Sequence, residues 1–225
     1  MAETKRVLLS WSSGKDCAWA LHVLRRTEGV EVVALLTTED ESRERVAMHQ
    51  VRRALLEAQR EAIGLPLLRV PLPSPCPNAV YEARMAAGLE EARAHGVDAV
   101  AFGDLFLEDI RAYREAKLAP TGLEPLFPIF GANTGALARE MIHAGLEAVV
   151  STVDLAKLPA SFAGRRWDGA LLDALPPGVD PCGENGELHT FATAGPMFAR
   201  PIPVEVGGIE QREGFAYADL RRVSP

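Results

Sequence analysis

The run Ser10-Trp11-Ser12-Ser13-Gly14-Lys15-Asp16-Cys17 restricts the fold more than any other stretch of the chain. It is entered from Val7-Leu8-Leu9, an apolar run short enough for a buried strand. It leads into Ala18-Trp19-Ala20-Leu21-His22-Val23-Leu24, whose apolar residues suit a helix packed on a sheet. The run is therefore a strand-to-helix turn. Small residues at Ser12, Ser13 and Gly14 let backbone N–H groups approach an anion, and the positive end of the following helix favours that anion further. Lys15 reads as a mobile positive charge beside it. A Walker phosphate loop does not fit, because it needs glycine where Leu9 stands and serine or threonine where Asp16 stands. A plain turn with Ser12 or Ser13 capping the helix is the competing reading.

The pattern repeats downstream. Glu31 to Leu36 is a second apolar run, followed by a polar segment and a helical spacing of Val51, Leu55, Ala58 and Ala62 that closes at Gly64 and Pro66. Leu67 to Val70 and Val97 to Phe102 read as further strands, with a helix through Tyr81, Met85, Gly88 and Ala92 between them. Strands alternating with helices predict an α/β fold with a mainly parallel sheet sandwiched by helices. Ligands of such sheets bind beyond the carboxyl ends of the strands. The Ser12 loop, Thr37-Thr38 and Gly103-Asp104 all fall at those ends and are expected to converge.

Beyond Gly122 the texture changes. Pro120, Pro125 and Pro128 interrupt the alternation, a helix is expected from Thr134 to His143, and Ala148 to Val153 reads as a strand. Pro201 to Val206 and Phe215 to Val223 are expected to pair as antiparallel strands across Gly207-Gly208. The division drawn is 1–122 for a nucleotide-binding domain and 123–225 for a smaller α+β domain. The second part carries Asp180-Pro181-Cys182-Gly183-Glu184-Asn185-Gly186-Glu187-Leu188-His189-Thr190, which gathers carboxylates, an amide, an imidazole and a thiol on a loop that proline and glycine keep from being helical. Such groups could orient an amine nucleophile, relay protons or share a hydrated Mg²⁺ with phosphates. A tightly hydrogen-bonded acidic turn without chemistry is the alternative.

Composition narrows the class. With 24 Lys and Arg against 31 Asp and Glu the net charge is −7, which gives no electrostatic footprint for nucleic acid. No apolar run approaches the roughly 20 residues that span a bilayer, so no membrane role is expected, and a cytoplasmic address is. The three cysteines, Cys17, Cys76 and Cys182, are too scattered for a zinc site or a disulfide framework.

Ser12 to Cys17 resembles the pyrophosphate loop, usually Ser-Gly-Gly-X-Asp-Ser, of ATP pyrophosphatases that adenylate a substrate; Ser13 replaces a glycine and Cys17 the closing serine. Taken with Met48-His49, Gly103-Asp104, Arg111, Tyr113 and Glu115, Glu124-Pro125-Leu126 and the Asp180 to Thr190 motif, the chain resembles the diphthine–ammonia ligase family over nearly its whole length. The resemblance implies a first domain of the adenine nucleotide α-hydrolase-like (HUP) type. It implies adenylation of a carboxylate by ATP, with AMP and pyrophosphate released, and attack by ammonia. In the eukaryotic and archaeal enzymes the carboxylate is diphthine on elongation factor 2. Bacterial relatives exist although bacteria do not make diphthamide, so the substrate here is diphthine or an unknown small molecule.

The resemblance further implies that Ser10, Ser12, Ser13, Gly14, Lys15 and Asp16 hold ATP phosphates and Mg²⁺, the metal falling to Asp16, with Cys17 a weak substitute for a hydroxyl. Thr37, Thr38 and His49 would lie near the adenosine, and Gly103 and Asp104 near ribose or metal. Lys15, Glu184, Asn185, Glu187 and His189 are the catalytic candidates, the last four also lining an acceptor site with Arg111 and Glu115. Arg111 and Glu115 suit a surface ion pair equally well, since they are four apart on one helix. A tRNA-modifying adenylating enzyme is a rival reading that wants a persulfide-carrying cysteine pair and a basic surface. A non-catalytic nucleotide sensor is another, and it leaves the Asp180 loop without a purpose. A homo-oligomer stays open.

Overall fold

The computed structural model describes residues 4–41, 45–46 and 51–223. His49 and Met48 lie outside the described residues. In the first half the elements run β1 (Lys5–Ser10), α1 (Lys15–Leu24), β2 (Val30–Asp40), β3 (Arg45–Val46), α2 (Arg53–Ile63), β4 (Leu67–Leu72), α3 (Asn78–Ala94), β5 (Ala99–Ala101), α4 (Glu108–Leu118) and β6 (Glu124–Leu126). Five of these strands are parallel: β2 lies beside both β1 and β4, and β1 continues to β5 and β6. The two-residue β3 pairs antiparallel with the end of β2. From central β1 the chain moves outward through β2 and β4, then returns to the other side for β5 and β6. The gap beyond the carboxyl ends of β1 and β5 is therefore the point where strand order reverses, the place where such sheets bind ligands.

Alternate side chains of β1 point to opposite faces. Val7 and Leu9 pack with Trp19 and Leu21 of α1 and with Leu55 and Ala62 of α2. Leu8 joins Leu36 and Val70 of the sheet under Leu89 and Ala92 of α3 and Leu118 of α4. Strand β6 was not legible as one: it is three residues long and contains Pro125, which the sheet tolerates at this edge because proline cannot donate to a ladder.

The second half contributes α5 (Thr134–His143), β7 (Glu147–Asp154), α6 (Gly169–Asp173), β8 (Leu188–Ala194), β9 (Val204–Arg212) and β10 (Phe215–Arg222). Its strands form an antiparallel sheet in the order β8-β7-β10-β9. The expected turn at Gly207-Gly208 is corrected here. Strand β9 runs straight through both glycines, Gly207 passing so close to the Asp219 carbonyl that an added Cβ would sit 3.0 Å from it. The reversal falls instead at Glu213-Gly214, both at positive φ (53° and 82°), as a two-residue hairpin turn whose twist matches its strands requires.

The two halves share one core. Leu137 and Met141 of α5, Val150 and Val153 of β7 and Phe191 of β8 belong to the same buried cluster as Val7, Leu9 and Trp11. At its centre is the wholly buried side chain of Gln59 on α2. Its Oε1 accepts from Trp11 Nε1 at 3.0 Å, and its Nε2 donates to the carbonyls of Ser13 at 3.0 Å and Ala192 at 2.8 Å. A buried amide on α2 joined to two groups of the β1–α1 loop and one of β8 is a cross-brace, and its removal leaves Trp11 Nε1 and the Ala192 carbonyl dry without this partner. Gln59→Leu keeps the volume and is expected to cost about 2–3 kcal/mol, on the usual penalty for stranded buried polar groups; a urea denaturation midpoint equal to that of the native chain would contradict this.

Candidate active site

The loop between β1 and α1 closes the parallel sheet at its reversal point. Ser13 adopts φ of 72°, a left-handed conformation uncommon for a residue with a side chain. It is held there through its carbonyl, which accepts from the Ala192 N–H at 2.9 Å as well as from Gln59. Gly14 caps α1 with no side-chain hydrogen bond, leaving the first turn of the helix facing the cleft. One of its donors, the Lys15 N–H, is taken by Thr190 Oγ1 at 3.1 Å, from β8. Gly103 sits against this loop so tightly that a Cβ would fall 2.9 Å from the Asp16 carbonyl carbon and from the Cys17 nitrogen. Only glycine lets the end of β5 support the loop from below.

Lys15 is not the mobile charge expected of it. Its side chain is 1% exposed, with Nζ bound to Asp16 Oδ2 at 2.8 Å and to the Cys182 carbonyl, and 5.3 Å above the Trp167 ring. Burial by itself would lower its pKa; Asp16, Cys182 and Asp180 more than offset that, and the group stays above its ordinary value. It is a fixed cation that ties the loop to the second half. Cys17 is buried, contacts Ser12 Oγ and the Gly14 carbonyl, and burial pushes its thiol up to about 11. Burial likewise takes Cys182 to about 12, so both remain protonated and neither is a nucleophile at neutral pH.

The opposite wall is the Asp180 to Thr190 loop. Gly183 has φ of 72°, and a Cβ there would lie 2.6 Å from the Leu188 carbonyl oxygen. Asp180 accepts the Glu184 N–H at 2.9 Å, while Glu187 Oε1 accepts the Asp180 N–H at 3.2 Å and Asn185 Nδ2 at 2.9 Å. Glu187 is 3% exposed and neither it nor Asn185 lines the cleft; Glu187 is turned inward and the exposed Asn185 bonds to it, so that both hold the loop's shape. Glu184 and His189 do line it. Glu184 Oε1 accepts the Leu105 N–H at 2.7 Å, and burial, reinforced by Asp16 and Asp104 against that hydrogen bond, raises its carboxyl to about 7. His189 is pushed down to about 4 by burial and by Lys15, and is a neutral imidazole at physiological pH.

The enclosed volume is about 250 Å³ and is bounded by Ser10, Ser12, Asp16, Gly103, Glu184 and His189, among others. Asp104 reaches it too, and is gripped through both oxygens by Arg114, whose Nη2 lies 3.0 Å from Oδ1 and whose guanidinium lies 4.3 Å from the centre of the Phe102 ring. Arg114 escaped sequence reading because nothing in the spacing of Asp104 and Arg114 marks a pair. Arg111 and Glu115 form the ordinary i,i+4 pair, at 2.9 Å, with Arg111 stacked over Phe127 and Phe130, and they lie off the cleft. Thr37 and Thr38 do not end their strand as expected but lie inside β2, which runs on to Asp40 beside β4; Thr37 is buried with a hydroxyl that has no partner among the described residues, and neither reaches the enclosed volume. Among the described residues no three metal-binding side chains cluster. The buried Asp16 Oδ1 has no hydrogen-bond partner, which fits a Mg²⁺ held by one or two carboxylates and substrate phosphates.

Glu184 gives a titration that needs no substrate. Its folded pKa lies above its unfolded value of 4.5, so between those values the native state binds more protons than the unfolded one and stability falls as pH rises. Glu184→Gln is therefore expected to gain on the native protein progressively from about pH 4.5 to about pH 7 and to run parallel to it above, in melting temperatures taken without ATP or metal. A constant difference across that window would show that Glu184 ionises normally.

Comparison with known proteins places this geometry. Residues 5–124 match the diphthamide synthase N-terminal domain and residues 133–224 the diphthamide synthase C-terminal domain. No curated protein sequence matches significantly. Among solved structures, the predicted subunit of tRNA methyltransferase from Methanocaldococcus jannaschii is similar at 14% identity over 70% of this chain and 84% of that one, with a TM-score of 0.40, a likeness too slight to bear on function. The two domain matches follow one another in order along the chain, one over the parallel sheet and the Ser12 loop and one over the antiparallel sheet and the Glu184 wall, and the chain belongs to the diphthamide synthase family.

Proposed function

We propose that this protein is an ATP-dependent amide-forming ligase that activates a carboxylate as an acyl-adenylate and passes the acyl group to ammonia. One observation carries the reading: a non-Walker loop at the reversal point of a parallel sheet faces, across a single cleft, the half-buried carboxyl group of Glu184, which burial pushes up to about 7. The cleft of about 250 Å³ is smaller than the roughly 300–1,000 Å³ of pockets that enclose a whole ligand, which suits the phosphates with the adenosine extending outside it. Thr37 and Thr38, inside the neighbouring strand, are the side chains on that path.

In this scheme Ser10, Ser12 and the open first turn of α1 receive the phosphates, and Asp16, helped by Asp104, would hold Mg²⁺. The metal, when bound, supplies charge neutralisation on the phosphate oxygens. The carboxylate oxygen of the substrate attacks the α-phosphorus and pyrophosphate departs; ammonia then attacks the acyl carbon and AMP departs with the C–O electron pair. The chain contributes position and fixed charge to both steps. Glu184, divided between its two protonation states near neutrality, accepts the proton that the incoming nitrogen loses. Neutral His189 beside it offers an acceptor without adding positive charge. Lys15, Asn185 and Glu187 act here as positioning residues: Lys15 Nζ, Asn185 Nδ2 and Glu187 Oε1 are bound within the protein, while Glu187 Oε2 is buried without a partner among the described residues.

Turnover is expected to yield AMP and pyrophosphate, read by ion-exchange chromatography of the nucleotide products; ADP with phosphate would remove the adenylation mechanism. Glu184→Gln keeps the shape of the side chain and is expected to retain ATP affinity within about threefold while amide formation falls by 10²-fold or more, the usual contribution of a general base. Full ligation by this variant, assayed with ammonia and a carboxylate that the native chain turns over, would show that the carboxyl group has no part in proton transfer.

A further inference from the structure

Next to the phosphate cleft lies a second concavity of about 250 Å³ between α3 and α4, walled by Tyr81, Met85, Leu89, Phe102, Tyr113 and Leu118. Its surface is mainly apolar, unlike that of the phosphate cleft. Two residues, Phe102 and Arg114, line both spaces, so the two meet across one aromatic ring and one guanidinium. Helix α4 is thinly covered for a helix on a sheet: Leu118 is its one buried residue, while Ile110 and Tyr113 are 36% and 39% exposed. A helix that leaves apolar residues uncovered beside a reaction cleft is missing a partner on that side.

We propose that this groove holds the body of the carboxylate substrate, and that the substrate is a small monocarboxylate with an uncharged apolar body. The inference rests on the ligase reading above. Arg114 has a fork with one side spent: Nε and Nη2 go to Asp104, whereas Nη1 donates to no acceptor among the described residues. Standing in the shared wall, that free side can receive a carboxylate from the groove. The carboxylate then lies at the border of the phosphate cleft, where one of its oxygens bonds to the α-phosphorus as the bond to pyrophosphate breaks. The aromatic faces speak against a cationic body. Phe102 already carries Arg114 at 4.3 Å and Tyr113 already carries Lys117 at 5.5 Å, and the one carboxylate in the lining, Glu82, is paired to Lys117 at 2.7 Å, so a quaternary ammonium would find two of the three rings occupied and no free carboxylate. The body this groove suits is therefore one without a quaternary ammonium.

The test is calorimetric titration of the full chain with 3-phenylpropanoate, 3-phenylpropan-1-ol and γ-butyrobetaine, each with and without ATP and Mg²⁺. 3-Phenylpropanoate is expected to bind at least tenfold more tightly than either of the others, which lack the carboxylate or carry the cation. Ala86 is an exposed residue of the groove, and Ala86→Trp fills the space without entering the core. It is expected to weaken 3-phenylpropanoate tenfold or more and to leave ATP affinity within twofold. Tyr113→Ser removes a wall from an exposed helix position and should weaken the same probe at least fivefold should the tryptophan variant fail to fold. The proposal is overturned by a native chain that does not bind 3-phenylpropanoate, by variants that bind it as well as the native chain does, or by tighter binding of γ-butyrobetaine. Loss of ATP binding with carboxylate binding intact would overturn the ligase reading and leave the groove assignment standing.

Discussion

The arrangement depends on how one carbonyl group is held. Ser13 occupies a left-handed backbone conformation that costs on the order of 1–3 kcal/mol for a residue with a side chain, and such strain survives only when surrounding contacts impose it. Here two donors converge on its oxygen, one from α2 in the first half and one from β8 in the second. The same β8 caps the first turn of α1 through Thr190, and Gly103 presses from beneath. The loop between β1 and α1 is shaped by neighbours on every side rather than by its own sequence. That explains how it tolerates serine where related loops carry glycine.

Charge is distributed on the same plan. Lys15, buried between Asp16, the Cys182 carbonyl and the Trp167 ring, brings the second half's loop against the first half's helix. Arg114 cancels Asp104 on the other flank. Between these two satisfied pairs stand Glu184, which burial leaves half ionised near neutrality, and His189, which burial leaves uncharged. Lys15 and Arg114 hold their carboxylate partners in the walls, and Glu184 is the group between them whose charge changes near neutrality.

Much of this was legible in the sequence, because periodicity and turn chemistry are local. The alternation of strands and helices, the tight turn between β1 and α1 and the convergence of Gly103-Asp104 on it followed from apolar spacing and glycine placement. What was not legible depended on partners far away in the chain. Glu187 and Asn185 read as reactive groups because composition cannot tell a carboxylate that faces a cleft from one that fastens a turn. Lys15 read as mobile because its partner Cys182 is 167 residues distant. Gln59 did leave a trace: a polar residue on the Leu55, Ala58, Ala62 face of α2 interrupts an otherwise apolar stripe and marks a buried hydrogen-bonding duty. Arg114 left none.

The shared core also has a consequence for synthesis. A ribosome delivers the chain from its amino terminus, and the strand that fixes Ser13 and caps α1, Leu188–Ala194, comes long after the loop it holds: Thr190 lies 175 residues beyond Lys15. Until that strand emerges, Trp11 and Leu21 lack the buried neighbours that β8 and α5 supply, and the loop has no reason to hold its strained shape. The loop is thus made early and takes its shape only after β8 has been made.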